Sequence, residues 1–72
     1  MRNRDEHLEW CKERAREYLN QGKPTDAIAS IMSDLIKHPE FVGLAEAMTP
    51  LGIFYAMNND LEGARRFVEG FR

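Results

Sequence analysis

The chain has 72 residues, of which 43% are hydrophobic and 31% charged, with a formal charge of −2 and one cysteine, Cys11. A domain of this length buries only about 60% of the surface its unfolded chain exposes, so its core is thin and leaves little room for an enclosed substrate cavity. The charge balance offers no general attraction to phosphate backbones. No apolar run approaches the ~20 residues of a membrane span.

A lone cysteine cannot form an internal disulfide, which is the usage of a reduced cytoplasmic protein. The opening residues, MRNRDEHLEW, hold no apolar stretch of the signal-peptide kind. Charge is spread unevenly. Residues 1–24 carry six basic and five acidic side chains, residues 25–60 one basic and five acidic, and residues 61–72 return to a net +1. An acidic middle argues against the second helix as a reader of DNA.

In chain order, a first helix is expected over residues 5–21, with Asp5 and Glu6 suiting its positive end. Leu8, Cys11, Ala15, Tyr18 and Leu19 fall on one stripe roughly 100° wide. Trp10 lies off that stripe, among Glu6, Glu13 and Glu17. Either it packs on the C-terminal segment or covers the flank, or its indole anchors a partner inside a charged rim.

Gly22 suits the left-handed residue that ends a helix, and Pro24 the first turn of the next. The second helix is expected over residues 25–37, with Ala27, Ile28, Ile31, Met32, Leu35 and Ile36 at helical spacing and Pro39 ending the run. Ile31 and Leu35 should sit between the first and last helices. Ser30, Ser33 and Asp34 read as a solvated face.

Beyond Pro39 the pattern weakens. A short helix over residues 40–48 would place Phe41, Leu44, Ala45 and Met48 on one face. Thr49-Pro50 then reads as an N-cap and first-turn proline restarting a helix over residues 50–57, against the alternative of one longer helix kinked at Pro50. Asn58-Asn59 makes a turn and Asp60 caps the last helix, whose buried stripe is Leu61, Ala64, Phe67, Val68 and Phe71. The reading is a single all-α domain over residues 1–72, a small bundle of two helical hairpins with four main helices.

Tyr18, Gly22, Ala27 and Ile31 align with Tyr55, Asn59, Ala64 and Val68, each 37 positions later. This echo resembles the tetratricopeptide helical-hairpin pattern, although stacked repeats usually need about three units. Separately, the stretches RDEHLEWCKERAREYL, SDLIKHPE and RRFVEGF resemble a family of short, uncharacterised proteins of tailed bacteriophages and prophages. The resemblance covers residues 4–40 and 65–71. It implies a phage or prophage origin and action in the bacterial host cytoplasm, and no particular chemistry.

Catalytic candidates are few. His7 and Cys11 stand four apart, but structural zinc wants four ligands, so they read as a small hydrophobic cysteine beside a surface histidine. The glycines match neither phosphate-loop nor dinucleotide spacing, and no nucleophile-elbow pattern occurs. No cofactor, metal or small-molecule substrate is expected.

Two binding classes remain. One is a protein-interaction module, a phage or prophage accessory factor meeting a host or phage protein, or its own copy as a homodimer, through Trp10, Glu6, Glu13 and Glu17. The mobile apolar side chains Met32, Met48 and Met57 suit such adaptable contacts. The other is a helix-turn-helix DNA-binding regulator. Its base contacts could come only from Arg65 and Arg66 on the last helix, because the second helix offers Thr25, Asp26, Ser30, Ser33 and Asp34.

Overall fold

A computed structural model describes residues 3–72. Among these residues, four α-helices make up the fold: α1 (Arg4–Asn20), α2 (Pro24–Leu35), α3 (Val42–Met57) and α4 (Leu61–Gly70). A single 3-10 turn, Pro39–Phe41, leads into α3, and no strand occurs among the described residues. The expected all-α bundle of two hairpins is present.

α1 begins at an Asn3 cap, whose side-chain oxygen accepts from the Glu6 N–H at 2.8 Å while its amide donates to the Glu6 carboxylate at 2.9 Å. The first of these bonds satisfies a backbone donor that a helix start leaves open, and the second ties the Glu6 carboxylate to the cap. The turn to α2 is a Schellman motif. Gly22 adopts φ +73°, and the Lys23 N–H reaches back to the Tyr18 carbonyl at 2.9 Å. The second hairpin repeats this geometry with Asn59 at φ +50° and the Asp60 N–H on the Tyr55 carbonyl at 3.1 Å. Asparagine is among the few non-glycine residues that tolerate this conformation. Asp60 then caps α4 by accepting from the Gly63 N–H at 2.8 Å.

α2 ends at Leu35, two residues short of the expected boundary. Pro39 forces His38 into an extended conformation, so the last turn tightens, with the Lys37 N–H on the Asp34 carbonyl and the His38 N–H on that of Leu35. Ile36 is consequently turned outward rather than into the core.

The expected break at Thr49-Pro50 does not occur. α3 runs unbroken through Pro50, and the separate helix over residues 40–48 is its first half preceded by the 3-10 turn. The proline leaves the Glu46 carbonyl without its helical donor, a defect worth about 3 kcal/mol in a helix interior. Both Glu46 and Pro50 are exposed residues, which puts the missing bond at the surface of the bundle. Thr49 is not an N-cap; its hydroxyl donates to the Ala45 carbonyl at 2.9 Å, within the helix.

The core joins Leu8, Cys11, Ala15 and Leu19 of α1, Ala27, Ile28, Ile31 and Leu35 of α2, Phe41 and Ala45, and Ala64, Phe67, Val68 and Phe71. Ile31 and Leu35 are fully buried on α2, which packs against both α1 and α4. Leu44 and Leu61, expected in the core, are partly exposed. The close approach of α3 to its neighbours depends on Gly52, where a Cβ would stand 3.0 Å from Phe67 Cζ and 3.2 Å from Ile28 Cγ2. α1 and α4 are tied by Arg16, which grips Glu69 through two hydrogen bonds of 2.7 and 2.8 Å and also reaches Glu9 at 2.8 Å.

Candidate functional site

α3 is the least buried helix relative to its composition. Its sixteen residues, VGLAEAMTPLGIFYAM, contain one charged side chain, Glu46, yet only Ala45 and Gly52 are buried. A helix apolar around its whole circumference is normally enclosed. Here Ile53 is 52% exposed, Phe54 58% and Met57 82%, with Leu44 and Leu51 also open.

Beside this face runs a groove between α2 and α3 with a volume of about 290 Å³. Ile28, Ala29 and Met32 line it from α2, and Gly52, Ile53 and Ala56 from α3. Thr25 and Thr49 close its two ends. Their hydroxyls are spent internally, Thr25 on the Ala56 carbonyl at 3.0 Å and Thr49 on that of Ala45 at 2.9 Å. What remains facing the groove is apolar. Ile36, turned out by the tightened end of α2, continues the row formed by Ala29 and Met32 at helical spacing.

The Trp10 surface is built differently. Trp10 is half-buried and packs against the core, with its ring 5.7 Å from that of His7. Its neighbours are cations: Arg14 Cζ stands 5.0 Å and Lys37 Nζ 5.6 Å from the indole centroid. Glu6, Glu13 and Glu17 are exposed, and Glu6 is engaged by Asn3. The indole thus lies beside Arg14 of its own helix and Lys37, just past the C-terminal end of α2.

Asp34 organises this region and corrects the reading of a solvated face. It is 3% exposed, accepts from Arg14 Nε at 2.8 Å and receives Lys37 Nζ at 3.2 Å. Hydrogen bonding to Asp34, and then its charge, holds the Arg14 guanidinium further into its protonated range. His7 is buried rather than on the surface, and its Nε2 donates to the Asp34 carbonyl at 2.8 Å. His38, 5.3 Å from His7 between ring centroids, accepts from the Glu40 N–H at 3.3 Å. Burial pushes the Cys11 thiol up to about 11, with the Asp34 charge adding to it. His7 and Cys11 are packing residues here, and among the described residues no three His, Cys, Asp or Glu side chains converge as metal ligands.

Arg65 and Arg66 are exposed on α4. Glu62 lies 4.0 Å from Arg66 one helical turn away, and Glu69 is held by Arg16. The arginine pair therefore sits on a face of mixed charge. No helix is long and apolar enough to cross a membrane among the described residues.

Comparison with known proteins adds no relative: no family model, curated protein or solved structure matches the chain. The α3 face was legible in one respect, since sixteen residues with a single charge cannot all be buried by a bundle this small. The assumed break at Pro50 hid it by dividing the helix into two short amphipathic pieces.

Proposed function

We propose that this chain is a non-enzymatic protein-binding module that docks a polypeptide on the outer face of α3 and the groove it forms with α2. The observation that carries the reading is the uncovered apolar surface from Ile53 through Met57, continuous with a groove whose polar atoms are already hydrogen-bonded. Exposed apolar patches rimmed by polar residues mark interaction surfaces, and an apolar helix laid into a groove is a common mode of peptide recognition. A lipid surface fits less well. Interfacial helices carry lysine and arginine along their polar face, and α3 has neither. Catalysis would need titratable groups in the groove, and its lining has none. DNA binding through Arg65 and Arg66 would have to overcome the carboxylates beside them. The resemblance of residues 4–40 and 65–71 to short phage proteins supports placing this binding in a phage or prophage setting.

Selection of a random peptide-display library on the immobilised protein tests the reading. Apolar-rich peptides should be recovered, should lose binding to a variant carrying Ile53→Asp and Phe54→Asp, and should keep binding to Trp10→Ala. Peptides that bind the double variant as well as wild type would overturn it.

A further inference from the structure

We propose that the occupant of the α2–α3 groove is a helical segment whose apolar stripe is flanked by lysine or arginine. This rests on the docking reading above and adds the partner's charge. The two helices that wall the groove, Pro24–Leu35 and Val42–Met57, contain no lysine or arginine at all. Their carboxylates are Asp26, Asp34 and Glu46. Asp34 is neutralised by Arg14 and Lys37 on the opposite side of α2. Asp26 and Glu46 are exposed and carry no ion pair among the described residues.

Their placement is informative. On α2, Asp26 borders the row Thr25, Ala29 and Met32. On α3, Glu46 lies one helical repeat before Ile53, on the same side. The helices run antiparallel along the groove: the Thr25 hydroxyl, at the start of α2, bonds the Ala56 carbonyl near the end of α3, and Met32 and Thr49, further along α2 and further back on α3, line the same groove. The two carboxylates therefore stand diagonally at opposite ends and on opposite walls, roughly 14 Å apart along the helix axes by the rise per residue. A helix lying in the groove would present its two flanks to them, one near each end. Glu40, exposed, extends the same sign of charge beyond the start of α3, whereas Glu62 past its end is offset by Arg66. The apolar stripe supplies the affinity, and the flanking cations supply register, orientation and encounter rate.

A second copy of this chain is a poorer occupant. A two-fold pairing through the groove sets one copy's Asp26 and Glu46 against the same acidic surface of the other, with no cation on either face, and like charges across an interface are selected against.

The test uses two synthetic helical peptides with one leucine stripe, one flanked by lysines and the other by glutamates. Binding is read by fluorescence anisotropy, alongside sedimentation equilibrium of the protein alone. The lysine peptide should bind about tenfold more tightly at low salt, a preference of about 1.4 kcal/mol shared between two exposed carboxylates. That preference should shrink severalfold in Asp26→Asn/Glu46→Gln and at high salt, and binding of both peptides should fall in Ile53→Asp. Ala29→Phe, which fills the groove from an exposed position, is a second variant should Ile53→Asp melt early. Equal binding of both peptides would overturn the charge proposal and leave the docking surface standing. Binding of neither by a monomeric protein would sink both readings. A wild-type dimer that Ile53→Asp dissociates would make the second copy the occupant and overturn the basic partner.

Discussion

Cys11 is fully buried beneath the α1–α2 contact, and its thiol is pushed up to about 11 by that burial. An unfolded thiol ionises near 8.5, so the folded value lies above the unfolded one. This contribution to stability is fully present below about pH 8.5 and is lost as pH rises through about 11. At pH 8 the thiol should resist iodoacetamide in the native protein and react only through opening. An alkylation rate equal to that of free cysteine would show the site to be open. Gly63 makes a second residue-scale case. A Cβ there would fall onto the edge of the Tyr55 ring and within 2.6 Å of the capping Asp60 Oδ2. Alanine normally gains up to ~1 kcal/mol over glycine in a helix, but overpacking a fitted contact costs about 1–3 kcal/mol. Tyr55 also meets the Phe67 ring edge-on at 6.4 Å, a contact that shifting it would disturb. Gly63→Ala should therefore lower the melting temperature, read by circular dichroism, despite the better helix former.

At the scale of elements, α1, α2 and α4 were readable because each carries an apolar stripe bounded by a local signal: Gly22 after α1, Pro24 and Pro39 around α2, and Asp60 before α4. Gly22, Asn59 and Asp60 act locally, so their roles can be inferred from neighbouring residues, whereas the Asn3 cap was missed because Asp5 and Glu6 drew the start of α1 one residue late. α3 resisted for the opposite reason. Thr49-Pro50 is a strong local restart signal, and it was overridden by packing of Ala45, Met48, Gly52 and Tyr55 as one continuous helix against α2 and α4. Local signals of about 1–3 kcal/mol lose to tertiary burial of that extent. Pro50→Ala restores a donor for the Glu46 carbonyl at an exposed position and should raise stability by about 1–3 kcal/mol. A lower melting temperature would mean that the proline holds a bend the packing needs. The buried Asp34 was missed because its partners come from elsewhere: Arg14 lies twenty positions away on α1. Its i,i+3 spacing to Lys37 was the available hint, but nothing in the order of residues gives the crossing of two helices.

For the molecule as a whole, the thin core concentrates stability in few side chains. Ile31 and Leu35 are both fully enclosed where α2 meets α1 and α4. Truncating either to alanine should cost roughly 2–5 kcal/mol. A domain of this size holds on the order of 4–11 kcal/mol, so either change should lower the melting temperature by more than about 10 °C. The ends of the fold are held by charge instead. Arg16 of α1 hydrogen-bonds both carboxylate oxygens of Glu69 on α4, and this holds the Glu69 carboxyl below the usual range. A lowered folded value means stability that is present above the unfolded carboxylate pKa of about 4.3 and lost as pH falls through the folded value. Glu69 is 44% exposed, so solvent screening limits the pair to about 1 kcal/mol or less, even with bidentate geometry. Glu69→Gln should lower the melting temperature by a few degrees at pH 7, and the gap to wild type should close as pH drops below 4, where the wild-type carboxylate is itself being protonated. A gap that persists unchanged at pH 2 would mean that Glu69 acts through packing and shape, and that the tie between α1 and α4 is not electrostatic.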